Sequence, residues 1–233
     1  MITAFEPKLD ILAEPQRALW PELDAVPLEF VLYGGTALGL QLGHRTSDDF
    51  DFFSSDGFDA GRLQSRLPFF RGVDVDDPSA WVHRKRDNLE GYVERCGGTV
   101  KIAFFGGLSN LRRIEEPRHL IGSLVRVASL VDLAGMKMRV IQMRGSWKDY
   151  IDIHALVANG VDIATGLAAA SAIDGKFEPA TSIRALQFYG DGNLDRVPAA
   201  MQQDLTRWAR QVDLGKLPKL PSRRGLAPAG RSR

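Results

Sequence analysis

The sequence predicts an α+β fold in which a mixed sheet with flanking helices occupies residues 1–125 and helices occupy residues 126–215. Leu28–Tyr33 and Thr99–Phe105 are apolar, aromatic and β-branched runs bounded by glycine or proline, which is the pattern of buried strands. From Ser129 onward the apolar residues recur at steps of three and four, which is the spacing of a helix face. This change of period divides the chain into a strand-rich part and a helical part.

Each further element is predicted from its own stretch of sequence. Pro15 and Pro21 interrupt a helical spacing over residues 8–23, so we expect one or two short helices there. Gly34–Gly43 predicts a tight turn that leads into a short helix. The remaining strands are expected at 49–53, 80–84 and 91–95, and residues 109–120 are expected to be irregular. The later helices are expected at 148–158, 161–172, 182–190 and 199–212.

The composition is that of a globular protein with a sizeable core. Of the 233 residues, 44% are apolar and 25% are charged, which excludes disordered and collagen-like classes. No stretch has the pattern of a secretory signal or the roughly 20 apolar residues of a membrane span, so no membrane partner is expected. The single cysteine, Cys96, allows no internal disulfide, and the expected compartment is the cytoplasm.

The formal net charge is +1, but basic residues are concentrated at the end of the chain. Residues 216–233 contain six lysines and arginines, no acid, and many prolines and glycines. This composition predicts a mobile basic tail, either solvated or lying on nucleic acid.

The strand Asp49–Phe53 carries the first candidate site. Because side chains alternate along a strand, Asp49 and Asp51 share one face, whereas Phe50 and Phe52 can enter the core from the other. Two carboxylates about 6.6 Å apart along a strand can hold two divalent cations. Oxygen ligands of this kind favour Mg²⁺ or Mn²⁺. The structural alternatives are two solvated acids or an arginine-paired aspartate.

A glycine turn precedes this strand and predicts a phosphate-binding site. Gly34, Gly35 and Thr36 follow one strand and open a helix, where backbone N–H groups and the positive helix end receive anions. Arg45 and Ser47 add a cationic fork and a hydroxyl just before the acids. The combination favours a phosphate-binding site over a simple glycine turn.

These motifs resemble the signature of a known family. The segments Gly34-Gly35-Thr36-Ala37-Leu38 and Arg45-x-Ser47-x-Asp49-x-Asp51-Phe52-Phe53 are similar to those of the AbiEii/AbiGii-type nucleotidyltransferases, within the DNA-polymerase-β-like superfamily. Many members are toxins of toxin–antitoxin or abortive-infection systems. The resemblance implies a polymerase-β-like core, a Gly-Gly turn that holds a nucleoside triphosphate (NTP), and an Asp-x-Asp pair that holds two metal ions.

A second match covers residues 130–156 and resembles the family's later segment. Carried over by position, it gives Lys137, Arg144, Lys148, Asp149 and Asp152. Lys137 and Arg144 are seven residues apart and would share a helix face. Asp149 and Asp152 lie on an otherwise apolar helix and need a partner, for which Lys137 is the obvious candidate. Two interpretations are open, and they are compatible: a catalytic or nucleotide-contacting group, and an ion pair that ties two helices together.

The implied mechanism assigns roles to these residues. Asp49 and Asp51 bind metal, and Gly34, Gly35, Thr36 and Ser47 hold phosphates. Lys137, and Arg45 with it, neutralises charge on the transferred group, while Asp149 or Asp152 positions Lys137 or completes metal binding.

The chain departs from the superfamily in one respect. Polymerase-β-like enzymes usually take a third carboxylate from a neighbouring strand, and Thr99–Phe105 contains none, with Ala103 at roughly the expected place. Three explanations are open: another acid completes the site, Asp149 or Asp152 of the later helix completes it, or the site is only weakly active.

The expected acceptor is RNA, foremost a tRNA 3′ end, or a protein hydroxyl. The alternatives are an antibiotic-type small molecule and an inactive nucleotide- or RNA-binding module. Family habit suggests an antitoxin partner.

Overall fold

A computed structural model describes residues 4–74, 77 and 79–227, which divide into two units. The first unit contains the described residues up to Leu111, then Glu116–Ala128 and those from Arg224 onward. The second unit contains Arg112–Glu115 and Ser129–Arg223.

An eight-stranded mixed sheet organises the first unit. Its strand order is β1-β8-β9-β2-β3-β6-β5-β4, with parallel pairing in β1–β8, β9–β2 and β3–β6 and antiparallel pairing elsewhere. These strands are β1 (Ala4–Phe5), β2 (Val31–Tyr33), β3 (Asp49–Phe53), β4 (Trp81–Lys85), β5 (Asn88–Arg95), β6 (Gly98–Phe105), β8 (Arg118–Leu120) and β9 (Arg126–Val127). A separate two-stranded sheet consists of β7 (Arg112–Arg113) and β10 (Arg223–Arg224).

The alternation predicted for Asp49–Phe53 is confirmed. Phe50 and Phe52 are fully buried, whereas both aspartates of β3 are partly exposed. Phe52 stacks on Phe104 of β6 with ring centroids 5.2 Å apart. The aromatic core on one side of the sheet therefore fixes which face presents the acids.

Helices flank the sheet and make up most of the second unit. In the first unit they are α1 (Glu14–Leu19), α2 (Gly34–Leu42) and α3 (Ala60–Arg66). In the second unit they are α4 (Leu130–Val140), α5 (Trp147–Ala158), α6 (Ile163–Ile173), α7 (Pro179–Ala185) and α8 (Ala199–Arg210). The second unit has its own apolar core, in which Met138, Tyr150, Ile153, Leu167 and Leu205 are buried. The mixed sheet with a helical C-terminal part confirms the expected fold class.

Several element bounds differ from the expected ones for local reasons. The Phe30 N–H binds the Pro27 carbonyl in a turn, so β2 begins only at Val31. The helix expected at 182–190 begins earlier, because Pro179 occupies its first turn. Residues 109–120, expected to be irregular, contain β7 and β8, whose two and three residues are too short to show a period.

The helix expected to carry both Lys137 and Arg144 ends before Arg144. Helix α4 ends at Val140, and Arg144 lies in the connection to α5. The two cations therefore do not share a helix face as expected.

The stretch expected to be a mobile basic tail is partly built into the fold. The Arg112 guanidinium donates to the Ser222 hydroxyl at 2.7 Å. Leu226 is buried, and its N–H donates to Ser55 Oγ at 2.6 Å. Leu226 is an apolar anchor, and Leu217 packs against the core of the second unit; the charge and the proline and glycine content of the stretch conceal both. Arg231 and Arg233 lie outside the described residues.

Among the described residues, no single helix is long and apolar enough to cross a membrane. Only the pair Trp147–Ala158 and Ile163–Ile173, bent by 114°, meets that length and composition together.

Candidate active site

The first turn of α2 follows β2 directly and lies against the acidic face of β3. Gly34 has a φ of +76°, a left-handed conformation that favours glycine. A Cβ added at Gly34 would lie 2.7 Å from Asp51 Oδ2. The first turn of α2 therefore approaches the Asp51 carboxylate more closely than any side chain at residue 34 would allow.

The second glycine faces a cation. A Cβ added at Gly35 would lie 2.5 Å from Arg45 Nη2 and 2.9 Å from Ser47 Oγ. Arg45 also donates to the Thr46 carbonyl at 2.7 Å, and Ser47 is buried. Gly34, Gly35, Arg45, Ser47 and Asp51 are thus brought together around one helix N-terminus, where the first backbone N–H groups have no partner within the helix.

Thr36 has a structural use for its hydroxyl. The side chain is fully buried, and Oγ1 donates to the Asp49 carbonyl. The residue is not the N-cap, a position that Tyr33 occupies. Thr36 therefore links α2 to β3 through its side chain, and its backbone N–H is one of those at the N-terminus of α2.

The two aspartates of β3 have different cross-strand neighbours. Asp51 is paired with Tyr33 of β2 and with Ala103 of β6, while Asp49 is paired with Lys101 of β6. Residues paired across strands share a face, so Lys101 and Ala103 border the acids. The sheet therefore places a cation beside Asp49 and a methyl group beside Asp51.

Sequence reasoning missed an ion pair on this face. Lys101 Nζ lies 2.6 Å from Glu90 Oε1 of β5, and these side chains are 31% and 10% exposed. The hydrogen bond to Glu90 raises the pKa of Lys101, and the charges of Glu90, Asp49 and Asp51 raise it further. The alternation of side chains along β5 indicates only weakly which face Glu90 occupies. Its pairing with Lys101 also depends on the register between β5 and β6, which sequence alone does not fix.

In the second unit, Lys137 is joined to both predicted acids. Its Nζ lies 2.7 Å from Asp149 Oδ1 and 2.6 Å from Asp152 Oδ2. The lysine side chain is 9% exposed and the aspartates are 1% and 0% exposed. Arg144 Nε adds a contact of 3.0 Å to Asp149, from a side chain that is 64% exposed. Lys148, also carried over by position, is partly buried on α5. The expected pairing of Lys137 with these acids is confirmed.

A buried acid that the sequence reasoning passed over organises the start of α4. Asp132 accepts hydrogen bonds from the backbone N–H groups of Ile114 and Glu115 and from the Ser129 hydroxyl. Burial raises the pKa of Asp132, and these hydrogen bonds act in the opposite direction. Ser129 followed three residues later by an acid is a capping signal that could have identified it.

Among the residues that the structure describes, a third metal-ligating carboxylate does not join Asp49 and Asp51. In the part of the chain that the structure describes, no three side chains of the His, Cys, Asp or Glu type lie close enough together to hold one metal ion. Asp49 and Asp51 are the two carboxylates that β3 presents on this face.

The comparison with known families decides the assignment. Residues 18–219 match the family described as "Nucleotidyl transferase AbiEii toxin, Type IV TA system". The chain belongs to the AbiEii nucleotidyl transferase toxin family. This confirms the resemblance given by the glycine turn and the Asp-x-Asp motif.

One curated protein is similar in sequence to part of this AbiEii chain. It is 33% identical over 134 residues to the uncharacterized protein aq_aa25 of Aquifex aeolicus (strain VF5), an alignment that covers 55% of this chain and 58% of that protein. The chain thus spans little more than half the length of this curated relative.

Two solved structures are similar to this chain over most of its length. MenT4, a nucleotidyltransferase toxin from Mycobacterium tuberculosis H37Rv, is 14% identical, with a TM-score of 0.54 over 86% of this chain and 83% of that one. JHP933 from Helicobacter pylori is 16% identical, with a TM-score of 0.45 over 86% of this chain and 95% of that one. At this identity the likeness to MenT4 shows the fold.

The close approach of Gly34 to Asp51 predicts that a side chain at residue 34 lowers activity by more than its loss of stability explains. In Gly34→Ala, left-handed strain costs about 1 kcal/mol, and the Asp51 carboxylate must shift to admit the methyl group. We expect nucleotidyl transfer to fall about 100-fold. The matched control is Gly122→Ala, since Gly122 has a φ of +80° and open space around its Cβ position. Urea unfolding should give similar losses for both variants; equal activity in both would contradict the prediction.

The Lys137 network predicts a large stability effect. Lys137→Met removes the ammonium that two buried carboxylates share, which should cost about 3–5 kcal/mol of unfolding free energy. Arg144→Ala removes an exposed partner of the same acid and should cost less than about 1 kcal/mol. Denaturant titration of both variants measures this, and equal losses would show that Asp149 does not depend on Lys137.

Proposed function

We propose that the chain transfers a nucleoside monophosphate from an NTP to a hydroxyl acceptor, with Asp49 and Asp51 as the metal-binding residues. The observation that carries the proposal is the glycine cradle, in which side-chain-free residues 34 and 35 face the Asp51 carboxylate and the Arg45 guanidinium. The absence of side chains at these two residues lets the backbone of the first turn of α2 come close to a carboxylate and a guanidinium. An acid beside backbone and guanidinium donors suits a metal-bound phosphate chain.

The residues present fit a divalent cation. Asp49 and Asp51 are partly exposed on one face of β3, and hard carboxylate oxygens are the ligands that Mg²⁺ or Mn²⁺ prefers. When bound, two such ions would activate the acceptor hydroxyl and neutralise charge on the phosphates. The family assignment supports an NTP as the substrate.

The chain's own groups then have defined tasks. The backbone N–H groups of Gly34, Gly35 and Thr36 and the Ser47 hydroxyl bind phosphate oxygens, and Arg45 supplies positive charge to them. The acceptor oxygen attacks the α-phosphorus, a new P–O bond forms, and the bond to the leaving pyrophosphate breaks in line. In the second unit we propose that Lys137 neutralises charge on the transferred group, with Asp149 and Asp152 as the residues that fix its ammonium.

We further propose RNA as the acceptor, foremost a tRNA 3′ end. Support comes from a basic edge strand, since β4 is the last strand of the sheet and His83, Arg84 and Lys85 on it are exposed. Arg86 follows with an 89% exposed side chain, and Tyr92 of the adjacent strand exposes an aromatic ring. Cations with an interleaved aromatic are typical of surfaces that bind single strands. An antitoxin partner is proposed on the family assignment alone.

A second candidate is a nucleotide- or RNA-binding module without turnover. Ala103, in register with Asp51, favours it, because that strand supplies no third carboxylate. The two candidates differ in whether a label is ever transferred.

The transfer is tested with conservative aspartate variants. Asp49→Asn and Asp51→Asn keep side-chain shape but remove the charged metal ligands, so we expect a loss of about 1000-fold in transfer. Asp48→Asn, at the exposed neighbouring position, should keep near wild-type activity. Each protein is incubated with Mg²⁺, one α-labelled NTP at a time and total cellular RNA, and products are resolved on denaturing gels.

The gel separates the alternatives. Label in RNA with wild type alone supports the proposal, and label in a protein band corrects the acceptor. Label in neither band with folded wild type contradicts transfer to a macromolecule, leaving the small-molecule acceptor and the binding module. A rise in melting temperature with NTP but no transfer to any acceptor identifies the module.

The acceptor is tested on β4. Lys85→Ala/Arg86→Ala removes two exposed charges, and we expect RNA labelling to fall about tenfold, with a weaker salt dependence, while the melting-temperature shift with NTP is unchanged. The matched control is Lys176→Ala/Arg184→Ala, which removes two exposed charges in the second unit. Equal labelling by both double variants would remove β4 from the acceptor site.

A further inference from the structure

The acidic face of the sheet carries a cation that the proposed chemistry does not use. Lys101 is the cross-strand neighbour of Asp49, and Glu90 is paired with Ala103, which is itself paired with Asp51. Asp51, Ala103 and Glu90 therefore form one row across three strands. Lys101 lies on the same face, directly beside Asp49 and diagonally opposite Glu90.

The geometry shows which acid holds the lysine. Lys101 Nζ is 2.6 Å from Glu90 Oε1, and Glu90 is the more buried partner. The charges of Asp49 and Asp51 also raise the pKa of Lys101, by less than the hydrogen bond to Glu90 does. The ammonium is thus anchored on the Ala103 side of the face while it remains within electrostatic reach of both aspartates.

Glu90 is too far away to replace the third carboxylate. Two strand spacings separate it from Asp51, about 9.6 Å between backbones. It also belongs to no group of three metal-ligating side chains within the described ranges. Its short contact is with Lys101, so any effect of Glu90 on Asp49 and Asp51 passes through that lysine.

We propose that Lys101 is a built-in counter-cation of the Asp49–Asp51 pair and that Glu90 is the positioning residue that holds it off the metal-binding oxygens. The inference rests on the proposed metal site. A lysine ammonium and a divalent cation compete for the same carboxylates, because both neutralise them and they repel each other. Glu90 therefore determines how strongly Lys101 competes with a divalent cation for Asp49 and Asp51.

The proposal predicts opposite effects for the two partners. Glu90→Gln releases the ammonium toward Asp49 and Asp51, so Mn²⁺ binding should weaken about tenfold. Lys101→Met removes the competitor, so Mn²⁺ binding should tighten. In the Lys101→Met background, Glu90→Gln should change the dissociation constant less than about twofold, because Glu90 acts only through Lys101.

The test is a double-mutant cycle read by Mn²⁺ alone. Free Mn²⁺ is counted by electron paramagnetic resonance during titration of wild type, Glu90→Gln, Lys101→Met and the double variant, without nucleotide or acceptor. Lys101→Gln takes the place of Lys101→Met if the unpaired Glu90 prevents folding of the latter. Glu94→Gln, on the same strand and face but further along, is the charge-matched control and should bind as wild type does.

Each outcome has one meaning. A Glu90→Gln effect that disappears without Lys101 supports the proposal. The same factor in both backgrounds, or no effect in either, overturns it, since Glu90 would then act as an independent charge or not at all. Wild type and an Asp49→Asn/Asp51→Asn variant that bind Mn²⁺ equally would overturn the metal site itself, and the counter-cation with it.

Discussion

The site depends on the close approach of the first turn of α2 to the acidic face of β3. Two consecutive residues without side chains permit it, and the left-handed φ of Gly34 directs the backbone into it. The Thr36 hydroxyl then fixes the distance by binding the Asp49 carbonyl. As a result the first N–H groups of a helix, a guanidinium and a carboxylate lie close together, which neither element could provide alone.

The acids of β3 and the acids of α5 differ in their burial and in how their negative charge is balanced. Asp149 and Asp152 are almost completely buried, and their lysine is buried with them. Such a network contributes geometric definition more than net stability, since desolvation offsets much of the attraction. Asp49 and Asp51 keep partial exposure on the sheet face. Carboxylates in that environment can exchange one cation for another at low cost, which is what a substrate-linked metal requires.

The strength of the local signals explains how much of this was predictable. The alternation of Asp49–Phe53 and the glycines before α2 are local patterns, and both the strand and the helix were found from them. The pairing of Lys137 with Asp149 and Asp152 followed from the cost of buried acids on an apolar helix. The Glu90–Lys101 pair was missed because it depends on the register between β5 and β6, and β8 and β9 were missed because two or three residues show no period. Leu226 was overlooked because its stretch was judged on charge and glycine content.

Ala103 gives the sheet face its distinctive character. A carboxylate at that position would stand between Asp51 and Glu90 and would add a third negative charge to the row. With alanine there, the charge that β6 contributes to this face is the positive charge of Lys101. The electrostatic potential at Asp49 and Asp51 then depends on where one flexible ammonium rests, and a buried glutamate on the next strand decides that position. A site with fewer fixed ligands is therefore more sensitive to its neighbours, and the residues that tune it lie one strand beyond those that its motif identifies.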